Sequence, residues 1–229
     1  MAKIDWKDEA KTLKKKVKKL KARLTGDGGV TKAAKPVSPL APKDGFPKLP
    51  RIAGVEFAAV EAGVRYQNRK DVMLVRLAPG TAVAGVFTRS STRSGCVRDC
   101  QDKLTARVPA GAGAAIIVNS GNSNAFTGKV GDEAVAAVTL GVAEALGMPA
   151  SRVFSSSTGV IGEPLPYERI TAKIPALVQA LDEGGIEMAA HAMMTTDTFP
   201  KGAAATVQGE GGVIPADLDW LRGLRRMKS

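Results

Sequence analysis

The middle of the chain alternates between strand and helix patterns, and this alternation restricts it to a mixed α/β fold. The run GAAIIVNSGNSNAFTG (113–128) is apolar and then turns to Gly, Asn and Ser, which predicts a strand followed by a turn. The next segment, GDEAVAAVTLGVAEALGM (131–148), predicts a helix, with Gly147 where a C-terminal cap belongs. Its apolar residues at helical spacing are Val135, Val138, Val142 and Ala145. RVFSSST (152–158) predicts a further strand that leads into Gly159.

Similar patterns lie on both sides of this core. Three short strands are predicted, in VEFAAVEAGVRY (55–66), DVMLVRLAP (71–79) and TAVAGVFT (81–88). Two helices are predicted towards the C-terminus. The first has one apolar face, made of Ile170, Ile174, Leu177 and Leu181, and the second is IEMAAHAMM (186–194). Apolar residues make up 44% of the chain but aromatics only 4%, which predicts close-packed layers of small residues.

The net charge of +11 is concentrated at the N-terminus. Residues 1–24 hold ten Lys or Arg against three Asp or Glu, with apolar residues at helical spacing between them. We therefore expect a basic amphipathic helix over 1–25, a Pro/Gly-rich linker over 26–50, a compact domain over 51–208 and a divergent tail over 209–229. The helix could bind nucleic acid or an anionic surface, or be a solubilising extension or pack on its own domain.

Composition excludes several other classes. No window reaches the roughly 18 apolar residues of a membrane helix and no signal peptide follows the start, so we expect no membrane partner and a cytoplasmic location. Cys96 and Cys100 lack a third Cys or a His nearby, which predicts reduced thiols and no metal site. His191 is the only histidine, and we interpret it as structural.

Three turns offer polar groups that could contact a substrate. Asn119–Gly128 carries amides and glycines, although such residues also end strands for conformational reasons. The serines and threonine of Ser155–Thr158 run into Gly159, a corner whose backbone N–H groups and hydroxyl could stabilise an oxyanion. MTTDTFPK (194–201) is rich in threonine, a nucleophile that its own α-amino group can activate after chain cleavage. The alternation of its threonines is equally typical of a strand.

Four motifs together resemble one family. GVFTRSSTRSG, IIVNSGNSNAFTG, SSTGVIGEPLP and AMMTTDTFPK occur in the same order in the ornithine acetyltransferase family, the self-cleaving glutamate N-acetyltransferases of arginine biosynthesis, and the resemblance runs from about Val37 to about Val207. It implies a layered α/β sandwich with sheets between helices, shared with self-processing aminopeptidases and incomplete here. By this resemblance Thr158 and Gly159 match the oxyanion-hole pair, and Thr195 matches a substrate-binding threonine.

The resemblance also implies a reaction, in which the acetyl group of N-acetylornithine moves to an enzyme threonine and then to glutamate. It implies no cofactor, with acetyl-CoA as a further donor in some members. The family's nucleophile follows a longer segment than KGAAATV (201–207), so we interpret the latter as an upstream strand and expect no nucleophile in this chain.

We therefore expect a chain that is inactive alone. Three explanations are open: a truncated or frameshifted product, which the cationic end DWLRGLRRMKS (219–229) favours, an α fragment that works with a separately made β chain of the same family in a hetero-oligomer, or a reused half-domain. The alternatives from other functional classes are a non-enzymatic nucleic-acid or anionic-surface binder that acts through the basic helix, and a related self-processing aminopeptidase.

Overall fold

The structure is a computed structural model that describes residues 11–17, 37–209 and 212–216. The chain falls into two units, Met1–Val37 and Ser38–Ser229. In the first unit residues 11–17 form helix α1, whose side chains are exposed. The remainder of the predicted basic helix, most of the predicted linker and most of the predicted tail lie outside the described residues, and the predicted domain boundaries stay predictions.

The second unit is built on a four-stranded sheet with the order β1-β2-β3-β4. The strands are β1 (Val55–Val60), β2 (Val72–Leu77), β3 (Ala114–Asn122) and β4 (Val153–Val160). β2 is antiparallel to both of its neighbours, whereas β3 and β4 are parallel. Helix α3 (Gly128–Leu146) joins β3 to β4 and provides the crossover that a parallel pair requires. The carboxyl ends of β3 and β4 therefore lie side by side.

Helices cover both faces of this sheet. Side chains alternate between the two faces along each strand, so each face packs its own set of residues against its helices. Val72 and Leu74 face α3 and two short helices, α4 (Tyr167–Thr171) and α5 (Ile174–Gln179). Met73, Val75 and Val118 face helix α6 (Ile186–Met193). Helix α2 (Gly95–Thr105) packs near β4 through Cys100, which lies in a cluster with Ala114 and Phe154. This layered arrangement confirms the predicted α/β fold class.

Several elements agree with the local signals in the sequence that predicted them. Gly147 caps α3 with a left-handed conformation, φ 62°, and its N–H donates to the carbonyl oxygens of Ala143 and Glu144. A one-turn 3₁₀ helix (Ala150–Arg152) then leads into β4. A separate hairpin follows, in which β5 (Ala205–Gly209) pairs with β6 (Gly212–Ala216). The predicted strand at 201–207 thus exists but begins at Ala205.

Three predicted elements differ from the structure. Residues 81–88 form no strand, and Val83 and Phe87 pack instead against the cluster of Cys100, Ala114 and Phe154. The helix predicted through residues 170–181 is split into α4 and α5, since Pro175 lacks the N–H that a continuous helix needs. Residues 195–198 form bends rather than the strand that their alternation suggested. Among the described residues no helix has the length and hydrophobicity to span a membrane.

Candidate functional site

The predicted oxyanion corner lies at the carboxyl end of the parallel strand pair. In the register of β3 and β4, Ser120 is opposite Thr158 and Gly121 is opposite Gly159. One residue earlier, the Ser157 hydroxyl donates a 2.6 Å hydrogen bond to Asn119 Oδ1. Open α/β sheets bind ligands beyond the carboxyl ends of their parallel strands. The corner therefore lies where this architecture places a binding site.

Neither Gly121 nor Gly159, which we call the glycine pair, has room for a side chain. A Cβ added at Gly159 would lie 2.2 Å from the carbonyl carbon of Gly121, and the φ of Gly159 is +136°. Gly121 has a φ of +98°, and a Cβ there would lie 2.8 Å from Arg65 Cβ. The pairing is irregular at this point, with a bulge between Gly121 and Asn122. The corner therefore presents bare backbone, which a bound ligand can approach closely.

Thr158 is half-buried and Gly159 is exposed. Among the described residues, no hydrogen bond engages the Thr158 hydroxyl, so it can be offered to a ligand. Its neighbour Ser157 differs, because its hydroxyl is bonded to Asn119 Oδ1 and lies 3.3 Å from Cys96 Sγ. The structure thus separates a structural serine from a threonine whose hydroxyl has no protein partner in the described part of the chain.

The asparagines of Asn119–Gly128 support the corner instead of facing a substrate. Asn119 Nδ2 donates to the carbonyl oxygen of Asn122, and Asn122 Nδ2 donates to the carbonyl oxygens of Glu163 and Pro164. Asn124 Nδ2 donates to the carbonyl oxygen of Gly131 in α3. All three asparagines are buried. Their side-chain amides therefore fix the turn after β3, which is the conformational alternative considered for this motif.

The segment that carries Thr195 is attached to the same end of the sheet. The buried Ser120 hydroxyl donates a 2.7 Å hydrogen bond to the carbonyl oxygen of Ala192, in the last turn of α6. Arg69 Nη2 donates to the carbonyl oxygen of Met194, the residue before Thr195. Ser120 and Arg69 were both missed by the sequence analysis, because their partners lie more than 70 residues away. Thr195 itself is half-buried.

Tyr66 connects Arg69 to the glycine pair. The Arg69 guanidinium lies 4.3 Å from the centre of the Tyr66 ring, a cation–π contact. A Cβ added at Gly121 would lie 3.1 Å from Tyr66 Cε2, so the ring packs closely on Gly121. The loop between β1 and β2 therefore contacts both the β3 end and the Thr195 segment.

The other polar residues of TTDTFPK shape the loop after α6. Burial alone would raise the pKa of Asp197, but the Lys201 ammonium, 2.7 Å from Asp197 Oδ1, and the backbone N–H of Thr195 lower that pKa below its usual value. Thr198 Oγ1 accepts a hydrogen bond from the backbone N–H of Ser38. Asp197 is therefore a carboxylate that organises the loop and orients the Thr195 backbone.

The two cysteines are buried free thiols close to the corner. Burial raises the pKa of the Cys96 thiol, and it raises that of Cys100 to about 11. Cys100 Sγ donates to the carbonyl oxygen of Ser155. Since the thiolate is the nucleophilic form, neither cysteine is suited to attack a substrate.

Comparison with known proteins identifies the family. A model of the ArgJ family matches residues 56–215, which span β1 to β6. The chain belongs to the ArgJ family. Arginine biosynthesis bifunctional protein ArgJ of Ruegeria pomeroyi is 58% identical over 178 residues, which are 78% of this chain and 43% of that protein. The Bradyrhizobium diazoefficiens ArgJ is 49% identical over 75% of this chain and 40% of its own length. The chain thus spans about four-tenths of these relatives.

Solved ArgJ structures share the fold. Arginine biosynthesis bifunctional protein ArgJ from Bacillus halodurans is 29% identical with a TM-score of 0.64, covering 72% of this chain and 84% of the solved chain. Ornithine acetyltransferase from Mycobacterium tuberculosis, solved in complex with ornithine, is 32% identical with a TM-score of 0.62, covering 72% and 87%. These matches confirm the resemblance to the ornithine acetyltransferase family. The chain covers 84% and 87% of the solved chains but only 43% and 40% of the two relatives, so the solved chains are much shorter than those relatives.

Proposed function

We propose that this chain forms the oxyanion side of an acetyltransferase site that moves the acetyl group of N-acetylornithine to glutamate. The observation that carries the proposal is the register of the parallel pair, which sets Thr158 and Gly159 against Ser120 and Gly121 at a corner of bare backbone. In this assignment the Thr158 hydroxyl and the Gly159 N–H stabilise the oxyanion, and Thr195 contacts the substrate. Acetyl-CoA as a second donor stays a prediction.

The chemistry fits these groups. When a threonine hydroxyl attacks the acetyl carbonyl, the carbonyl oxygen becomes an oxyanion in a tetrahedral intermediate. Collapse of this intermediate releases ornithine with its amine protonated and leaves an acetyl ester on the threonine, which the glutamate amine then attacks. One preorganised donor at the oxyanion accelerates such steps roughly 10²- to 10³-fold. The free Thr158 hydroxyl can supply such a donor.

The nucleophile is assigned to a second polypeptide of the same family. A threonine nucleophile of this family depends on its own α-amino group after chain cleavage, and the threonine of KGAAATV (201–207) follows a shorter segment than the one that precedes the family's nucleophile. The solved ArgJ chains, which this chain covers by 84% and 87%, are short in comparison with the full-length relatives. This difference supports a family site assembled from two chains, and a hetero-oligomeric partner for this one.

A reconstitution assay tests the proposal. The chain is mixed with a separately expressed C-terminal portion of the Ruegeria pomeroyi ArgJ, beginning at its nucleophile threonine, and ornithine release from N-acetylornithine is followed in the presence of glutamate. We expect transfer only in the mixture. Thr158→Val, which removes the hydroxyl but keeps the shape, should lower kcat roughly 10²- to 10³-fold, whereas Thr158→Ser should restore most of it.

Thr171→Val is the matched control. Thr171 is a threonine of α4 whose hydroxyl donates to the Glu168 carbonyl oxygen, in the turn of its own helix. This variant should transfer acetyl groups at the wild-type rate. Full activity of Thr158→Val, or no activity of the wild-type mixture despite formation of a stable complex, would overturn the proposal.

A further inference from the structure

An open groove borders the segment that leads to Thr195. Its volume is about 460 Å³, and it is lined by Arg69, Lys70, Met188, His191 and Met194. We name these five residues the cationic groove. Because Met194 directly precedes Thr195, a ligand in the groove lies beside the predicted substrate-binding threonine. The volume is in the range of small-molecule sites.

The cations of the groove have no acidic partner in the described part of the chain. The ion pairs found there join other residues, among them Arg65 with Glu163 and Arg98 with Asp132. Arg69 donates to the backbone carbonyl oxygens of Met194 and His191 and contacts a neutral ring, none of which cancels its charge.

Lys70 is equally uncompensated. Its Nζ lies 2.8 Å from the neutral Met188 Sδ. The adjacent acid, Asp71, is fully buried and accepts hydrogen bonds from the backbone N–H groups of Ala62 and Val64. Two positive charges therefore share a concave surface, and no acidic side chain of the described residues lies within ion-pair distance of either.

Such a surface attracts anions. Concave sites lined by one sign of charge focus the electrostatic field and raise the local concentration of oppositely charged ligands. The two methionines add flexible, polarisable walls that adapt to the uncharged part of a small molecule. His191 is exposed on α6 and adds imidazole nitrogens that can hydrogen-bond to an anion.

We infer that the cationic groove holds the anionic group of a substrate, a carboxylate or a phosphate, while the reacting end of that substrate reaches Thr195. The inference rests on the proposed function for the identity of the substrate. A carboxylate would come from N-acetylornithine or glutamate, and a phosphate from acetyl-CoA. Lys70 is the main anion ligand, since Arg69 is also committed to holding Met194.

Calorimetric titration of the chain alone tests this site. The probes are N-acetylornithine for the carboxylate and coenzyme A for the phosphate. Lys70→Gln should weaken binding of one probe at least fivefold, and the probe that is affected identifies the anion. Binding should also weaken as salt is raised. Lys129→Gln is the matched control, because it removes the same charge from a highly exposed position on α3 and should change the affinity less than twofold.

The outcomes separate this site from the proposed function. No measurable binding of either probe, or equal losses in Lys70→Gln and Lys129→Gln, would overturn the anion site. Binding that depends on Lys70 would support it even if the reconstituted mixture transfers no acetyl group. Conversely, a mixture that contains Lys70→Gln and transfers acetyl groups with the wild-type KM for every substrate would exclude the groove and leave the acetyltransferase assignment intact.

Discussion

Arg69 Nη2 donates a hydrogen bond to the carbonyl oxygen of Met194, although the two residues are 125 positions apart. The same nitrogen lies 3.4 Å from the carbonyl oxygen of His191, so one guanidinium binds the last turn of α6 and the residue after it. A hydrogen bond that involves a charged donor is stronger than a neutral one. Arg69 is therefore a positioning residue for Thr195, which follows Met194 directly.

Replacing Arg69 should loosen the Thr195 segment without unfolding the sheet. In Arg69→Gln the amide can reach only one carbonyl oxygen, so we expect amide hydrogens of residues 194–200 to exchange roughly tenfold faster. This is a change of about 1.4 kcal/mol in the free energy of local opening, close to the net contribution of one hydrogen bond. Hydrogen-exchange mass spectrometry measures this directly.

Arg65→Gln is the control for this experiment. Arg65 belongs to the same loop but pairs with Glu163 on the surface, where ion pairs contribute little. Exchange in residues 194–200 should be unchanged in this variant. Equal exchange in Arg69→Gln and wild type would show that other contacts hold the segment.

Gly159→Ala should destabilise the fold strongly. The new Cβ would meet the Gly121 backbone at 2.2 Å, and the φ of +136° is unfavourable for alanine. Strain and overpacking together should lower the free energy of unfolding by about 3–5 kcal/mol, measured by urea denaturation. Gly162→Ala provides the comparison, since Gly162 also has positive φ, +82°, but open space at its Cβ. It should cost only about 1–2 kcal/mol. Similar losses for the two variants would argue against the close contact.

Thr195→Val should impair substrate binding more than turnover. If the hydroxyl contacts the substrate in both the ground state and the transition state, its removal raises the KM for N-acetylornithine and changes kcat little. Loss of one hydrogen bond predicts an increase in KM of roughly tenfold. Thr196→Val serves as the neighbouring control, because Thr196 is exposed, and it should leave the KM unchanged. A fall in kcat without a change in KM would assign Thr195 a role in the chemical step instead.

The free energy of unfolding should fall as the pH is raised from about 9 to about 11. Burial raises the pKa of Cys100 from 9.0 to about 11 in the folded chain, so the folded state retains this proton when the unfolded state has lost it. The resulting stability is fully present below pH 9 and is lost as the pH rises to about 11, with a total of about 2–3 kcal/mol. Urea denaturation of wild type and Cys100→Ala at pH 8 and pH 11 isolates this contribution from other titrating groups. The variant should lose less stability over this interval, and an identical loss would contradict the prediction.

The sequence predicts the elements better than the way they assemble. The cap at Gly147 and the apolar stripe of α3 depend on residues close together in the chain, so their patterns are readable directly. The predicted strand at 81–88 has suitable residues, but Val83 and Phe87 pack against the cluster that contains Cys100, a tertiary contact that local sequence does not encode. The break at Pro175 was a readable signal that the apolar periodicity on either side obscured.

For the candidate site, too, the sequence indicated individual residues but not the contacts between their segments. Thr158, Gly159 and Thr195 were selected through family motifs, and their roles stay predictions. The structure adds the contacts that connect their segments, from Ser120 to Ala192 and from Arg69 to Met194. These contacts join polar side chains to backbone carbonyl oxygens, which are identical in every residue type. No pattern of side chains could therefore have indicated the partner.

The glycine pair also limits how this corner can diverge between relatives. A Cβ at Gly159 would meet the Gly121 backbone, and a Cβ at Gly121 would meet Arg65 Cβ and the Tyr66 ring, so enlarging one glycine cannot be rescued by a change at the other. A saturation mutagenesis screen should record glycine as the sole tolerated residue at both positions, while the highly exposed Ile161, two residues on, accepts most replacements. A relative with a different substrate specificity would therefore differ in the loops around this corner and keep the same backbone at the two glycines.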